Sequence, residues 1–298
     1  MNFTEFFTAF PEMSKSGLRT FKKTVDGAYR QFSREYGDAI EAVFDPVLFF
    51  LIWFEKLLQN SPWIVVLIVF LALIYFGSRS IYLTIGSFIA FIFIGYFGMW
   101  EDTMSTVSII GVCTFLSIGF GIPIGIFMSG SDRARASISP ILDIMQTMPS
   151  FVYLIPVVML LGIGKIPGLL AVVIYAIPPI IRLTDLGIRE VDKEVLEAAE
   201  AFGANRSQKL FRVQLPLALP TIFAGINQTI MMALAMVVIA SMIGVKGLGQ
   251  PVLKAIANQY FTMGLLNGLA IVVLAIIFDR VSQSFGKRLQ QHRQGSHE

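Results

Sequence analysis

The sequence predicts an all-α membrane protein that crosses the bilayer about seven times, and three observations predict it. Of its 298 residues 55% are hydrophobic and only 14% charged, and the mean hydropathy of +0.71 is too high for a water-soluble chain of this length. Long apolar runs approach the ~20 residues that a helix needs to cross a hydrocarbon core. The connections between them gather their Lys and Arg at a few places, as expected of loops that stay on the cytoplasmic side.

Residues 1–60 read as a polar N-terminal extension, mixing Lys15, Arg19, Lys22, Lys23, Arg30 and Arg34 with Glu35, Asp38, Glu41 and Asp45. It lacks the charged, apolar and small-residue succession of a signal peptide. Within it, residues 46–58 are too short to span. Val47, Leu48, Phe50, Leu51, Phe54 and Leu58 form an apolar face, with Glu55, Lys56 and Gln59 interrupting the other side, which predicts an amphipathic helix lying along the membrane surface. The membrane domain follows over residues 61–288, and a polar C-terminal tail over 289–298.

The expected spans are 63–77, 81–99, 104–128, 148–163, 166–184, 217–243 and 263–285. Arg133 and Arg135 follow the third, Arg189, Lys193, Arg206, Lys209 and Arg212 lie between the fifth and sixth, and Lys287, Arg288 and Arg293 follow the seventh. These regions are expected in the cytoplasm, which places the C-terminus inside and the N-terminus outside. The six early basic residues oppose that placement, and an eighth crossing by residues 46–58 would reverse it. Pro123, Pro156, Pro178, Pro179 and Pro220 are expected to interrupt the backbone ladder within or at the ends of spans, by kinked packing or as hinges.

Chemistry is notable for what is missing. With one cysteine, Cys113, inside an apolar run, and histidines only at 292 and 297, the chain offers no catalytic group and no metal site. No basic stretch is interleaved with aromatics, so no nucleic-acid partner is expected. The glycine cluster at 244–249 has neither the spacing nor the strand of a phosphate-binding loop. Inside the spans, Asn227, Gln228, Thr229, Ser241 and Asn267 would be costly against lipid, so they are expected to face the bundle interior or a pathway. Phe151, Tyr153, Tyr175 and Phe223 are further candidates for a pathway lining, and Met231, Met232, Met236 and Met242 read as adaptable packing.

The most informative stretch is the charged loop at 197–216 between two apolar spans. Asp192 can cap a helix whose first turns carry Glu194 and Glu197, and Gly203 can take the left-handed conformation that ends it. Asn205 followed three residues later by Gln208 reads as a capping box that starts a second helix, with Pro216 ending that one. On the first helix Val195, Leu196, Ala199 and Phe202 share a face that small Ala198 and Ala201 leave open to a partner.

The same loop places Glu197, Ala198, Ala199, Gly203, Val213, Leu215 and Pro216 at the offsets of the EAA loop of ABC importer permeases, with Val213 where that family usually has Ile. Together with residues 147–164, 174–204 and 242–261, the sequence from about 60 to 288 resembles the permease subunit of glycine betaine/proline betaine importers. The resemblance implies the type I importer permease fold and a coupling role for Glu197, Ala198, Ala199, Phe202, Gly203, Leu215 and Pro216. It also implies a second copy of the chain, two copies of a separate ABC ATPase that bind ATP and Mg, and a soluble or periplasmic substrate-binding protein delivering quaternary ammonium osmolytes. Since no soluble binding-protein domain follows residue 285 in this sequence, delivery is expected to need a third protein. No cofactor is expected in the chain itself, and its remaining partner is membrane lipid. The alternative is an ion-coupled secondary transporter or osmotically gated channel, which needs ionisable groups at mid-membrane; Arg182, Asp185, Asp279 and Arg280 all lie toward span ends.

Overall fold

The structure is a computed structural model that describes residues 12–294. Residues 1–11 and 295–298, with His297 of the expected tail, lie outside the described residues. Every regular element among the described residues is helical.

The first helix, α1 (Lys15–Asn60), joins the polar extension and residues 46–58 into one rod through Pro46, with Ser14 capping its start by accepting from the Gly17 N–H. Beyond Ser61 and Pro62 the chain turns by 111° into α2 (Trp63–Ser78), followed by α3 (Ile81–Tyr96) and α4 (Trp100–Ser129). The amphipathic α5 (Asp132–Thr147) comes next, then a 3₁₀ turn (Ser150–Tyr153) leading into the short α6 (Leu154–Leu161). After them come α7 (Lys165–Ala176), α8 (Pro178–Arg189), α9 (Lys193–Ala201), α10 (Leu215–Ala240), α11 (Gly249–Asn258) and α12 (Phe261–Gln294).

The expected apolar segments all carry helix, but they are not equivalent. Four continuous stretches are long and apolar enough to cross a membrane alone: Trp100–Ser129, Lys165–Arg189, Arg206–Ile243 and Phe261–Gly286. Two more crossings require bent pairs, α1 with α2 and α5 with α6, while α3 is shorter. The segment expected at 148–163 is not a straight span. Pro149 disfavours the helical conformation at Met148, which is extended (ψ 133°), and the chain bends by 112° there. Pro178 and Pro179 start α8 at its first positions, where a missing N–H costs nothing, whereas Pro123 and Pro220 lie inside helices that run on.

Two large apolar clusters form the core. One joins Leu51 of α1 to Ile110 and Cys113 of α4, Leu169 and Val172 of α7, and Met236 and Val237 of α10. The other joins Leu58 to Phe91 and Ile94 of α3, Met104 of α4 and Leu274 of α12. A smaller cluster, Ile180, Ile188, Ala218 and Ile222, ties α8 to α10 at the end that carries the charged loop.

Candidate functional site: a helical hairpin and the junction beneath it

The loop between α8 and α10 is a pair of helical arms, and its sequence says why. Asp192 accepts from the Glu194 N–H at 2.9 Å and starts α9. At the other end Gly203 (φ +79°) lets its own N–H reach the Glu200 carbonyl at 2.8 Å and the Ala204 N–H reach Ala199 at 3.0 Å, the paired bonds of a Schellman turn. Only a residue without Cβ takes that conformation at little cost. Asn205 and Gln208 then exchange side-chain and backbone bonds at 2.8 and 2.9 Å, closing the capping box.

Pro216 does not end the second arm. Pro216 has no N–H and its ring would collide with the Arg212 carbonyl in a regular helix. The chain widens instead into a π turn (Lys209–Gln214), in which the Leu215 N–H bonds back to Leu210, and α10 continues to Ala240. The second arm and the membrane span are thus one rod.

Alpha-9 buries none of its residues. Phe202 is 93% exposed, and Val195 and Phe211 are also exposed, so the hairpin presents an apolar ridge to its surroundings. An ion pair between Lys209 and Glu200 staples the two arms.

Below the hairpin the flanking helices meet at backbone distance. A Cβ on Gly187 of α8 would stand 2.9 Å from the Thr221 Cβ and 3.2 Å from the Ala218 carbonyl oxygen of α10. Beside this contact Asp185, 2% exposed, accepts from Arg189 at 2.8 Å and pairs with Arg135 of α5 at 3.3 Å. Arg189 also reaches Asp132 at 2.6 Å and the Met128 carbonyl at 3.0 Å, and Arg182 pairs with Asp143. The end of α4, the start of α5 and the end of α8 are therefore fastened together three residues before α9 begins. Sequence reading located Asp185 near a span end but not its pairing with Arg135, 50 positions away, nor that of Arg189 with Asp132, 57 positions away.

The expected pathway residues do not converge on one place. Tyr153 is buried, donates its hydroxyl to the Met145 carbonyl and meets Tyr175 edge-on at 5.6 Å between ring centroids. Phe223 packs on Phe285 at 5.2 Å and shares a cleft with Asn227. Phe151 and Gln228 are exposed in the single chain, against the expectation that Gln228 turns inward, because position 228 falls on the outer side of α10 while Thr229 is fully buried. Asn267 is buried and donates to the Met263 carbonyl one turn back in its own helix.

A second polar junction was invisible in the sequence. Glu55 of α1, which the periodicity puts on an interrupting polar side, faces the bundle and is only 5% exposed. It pairs with Lys165 at the start of α7 and accepts from Ser105 at 2.8 Å, and Gln59 donates to Ser105 at 2.8 Å. Farther along α1, Tyr29 donates to the Pro156 carbonyl at 2.5 Å and Ser33 to those of Met159 and Leu160 at 3.1 and 3.0 Å. The Ser33 bonds satisfy carbonyls that the short α6 leaves open at its C-terminal end. Of the apolar face expected over residues 46–58, Leu51 and Leu58 are buried, Val47, Leu48 and Phe54 are half-buried and Phe50 is exposed, as are Phe49, Trp53 and Leu57 outside that face.

Residues 118–291 match the family described as the binding-protein-dependent transport system inner membrane component. The chain belongs to that family. It is 48% identical over 242 residues, covering 81% of this chain and 68% of the relative, to the glycine betaine/proline betaine transport system permease protein ProW of Escherichia coli. It is 46% identical to the glycine betaine transport system permease protein OpuAB of Bacillus subtilis, over 75% of this chain and 79% of that one. Among solved structures, an inward-facing MetNI methionine ABC transporter chain superimposes with a TM-score of 0.56 at 22% identity, covering 64% of this chain and 95% of that one, which shows the fold. The chain is a multi-pass permease subunit of an inner-membrane ABC importer with the type I permease fold, and is not itself an enzyme.

Proposed function

We propose that this permease carries quaternary ammonium osmolytes of the glycine betaine class, working as a dimer of identical chains on two copies of an ATPase that binds ATP and Mg, with substrate delivered by a soluble or periplasmic binding protein. The observation that carries the mechanism is the hairpin: an exposed apolar ridge on α9, mounted on two helices that touch at Gly187. Its Phe202 and Val195 give a groove on the ATPase something to grip. Because α8 has no side chain at that point and packs directly on Thr221 and Ala218 of α10, a displacement of α9 moves both helices as one body. Alternating access then follows as rigid motion of the α8–α10 pair against the rest of the bundle. The substrate class rests on relatives whose names specify glycine betaine and proline betaine.

The permease is expected to take up glycine betaine in proteoliposomes only when the ATPase, ATP and the binding protein are all present. Uptake by this chain alone, driven by a sodium or proton gradient, would overturn that and favour the ion-coupled alternative. The N-terminal helix belongs on the outer side in this reading, since Tyr29 and Ser33 meet residues 156–160, beside the turn into α7 at the end opposite the hairpin. Ser33 is engaged in that contact, so exposed Gln31 is the better probe. In a Cys113→Ala background, a Gln31→Cys variant is expected to react with an impermeant thiol reagent in intact cells; reaction only after the cells are opened places α1 inside.

A further inference from the structure

The last helix carries a carboxylate that nothing so far explains. Asp279 lies within the membrane-crossing part of α12, and among the described side chains no Lys or Arg pairs with it. Its Oδ1 accepts instead from the Asn227 amide of α10 at 2.9 Å and the Gln283 amide at 2.7 Å, and the Ser282 hydroxyl donates to the Asn227 Oδ1. Amide donors spread the negative charge without cancelling it, and a half-buried carboxylate near the end of a span is stabilised further by a cation. Three members of the network, Asn227, Ser282 and Gln283, line a cleft of about 400 Å³ between α10 and α12, with Pro220, Phe223, Ala224 and Gly286 forming the rest of its wall. Phe223, steadied by Phe285, gives that wall an aromatic face.

We infer that this cleft is a binding site for a quaternary ammonium group, held by the charge of Asp279 behind the Asn227–Gln283 wall and by the ring of Phe223. A trimethylammonium group has no N–H to donate, so it is held by diffuse negative charge and aromatic faces and not by hydrogen bonds, and the cleft offers both. Among the described side chains no Arg or Lys pairs with Asp279, which leaves its charge available for the ligand. The cleft begins four residues beyond Pro216, roughly 6 Å along α10 from the hairpin at 1.5 Å per residue, so it sits on the coupling side of the membrane. It is therefore an exit-side or inhibitory site, distinct from wherever substrate enters. This inference rests on the substrate class proposed above.

The test uses the permease–ATPase complex in lipid nanodiscs with Cys113→Ala and Ala224→Cys, which puts a thiol on the wall of the cleft. The maleimide reaction rate is followed while choline replaces potassium chloride at constant ionic strength. Choline is expected to slow the reaction saturably, and Phe223→Leu to weaken that protection by about fivefold, the scale of one sheltered cation–π contact. Asp279→Asn, which preserves the shape of the side chain, is expected to abolish the protection in a complex that still elutes as a single assembled species. A reaction rate indifferent to choline, or protection that survives Asp279→Asn, makes the network a tie between helices and overturns the site. Betaine uptake by the parent complex, measured in parallel, separates the two readings: uptake without protection overturns the site alone, and no uptake of any quaternary ammonium overturns the substrate class.

Discussion

The two ends of this permease are held together by different means. At the hairpin end, the α8 backbone at Gly187 packs directly on Thr221 and Ala218 of α10, over the buried Ile180, Ile188, Ala218 and Ile222, with the carboxylate of Asp185 clamped between two arginines. At the α1 end, Leu51 shares a buried apolar cluster with Leu154 and Val157 of α6 and Leu169 and Val172 of α7, and to this packing are added hydrogen bonds from Tyr29 and Ser33 to carbonyls of α6 and the ion pair of Glu55 with Lys165 of α7. Close-packed contacts transmit displacement, because neither side can yield without opening a void. Hydrogen bonds to carbonyls contribute only about 1 kcal/mol each and can be exchanged for water one at a time. The hairpin end is built as a lever, and the α1–α6–α7 junction adds exchangeable polar fastenings to its apolar packing.

The largest expected effect lies at the second junction, in its one charged contact. Lys165→Ala leaves Glu55 nearly buried with only Ser105 to support it, which costs about 3–5 kcal/mol for a broken buried pair. The thermal midpoint of the solubilised complex should fall sharply, and a Glu55→Gln, Lys165→Ala double variant should recover most of the loss. Equal loss in both variants would mean that the pair is not what joins α1 to the bundle. A smaller effect is expected from Gly187→Val, whose added methyls meet Thr221 and Ala218 and cost about 1–3 kcal/mol of overpacking. Its signature should be functional: ATP hydrolysis continues while betaine uptake per ATP drops, since α8 and α10 no longer move together. Uptake per ATP equal to the parent's would break the contrast between the two ends.

How much of this was legible in the sequence follows the range of the interactions involved. The hairpin was legible because each of its determinants is local. Asp192, Gly203 and the Asn205–Gln208 pair act within five residues of themselves, and each does in the structure what its position implies. Pro216 misled because a proline stops a regular helix, and the π turn that accommodates it leaves no mark in composition. The bend at Met148 is local too, but an apolar run hides it, since hydropathy sums over a segment without asking whether Pro149 permits it to be straight. Glu55 could not be placed at all. Beside Lys56 and Gln59 it looks like part of a wet face, and what turns it inward is Lys165, 110 positions later. The same holds for Asp279, whose partner Asn227 lies 52 positions away.

The account depends most on the hairpin being the element through which ATP hydrolysis drives transport, and Gly203→Val tests that most directly. A β-branched residue at φ +79° costs about 1–2 kcal/mol and has to change the angle between α9 and the second arm to relieve it, with no residue of the membrane helices altered. Nothing lies within 4 Å of where the new Cβ would stand, so any effect arises from backbone strain and not from a clash. In proteoliposomes with the ATPase and binding protein, the variant is expected to insert and assemble normally yet lose substrate-stimulated ATPase activity and betaine uptake together. Stimulated hydrolysis and uptake at the parent's level would contradict the account.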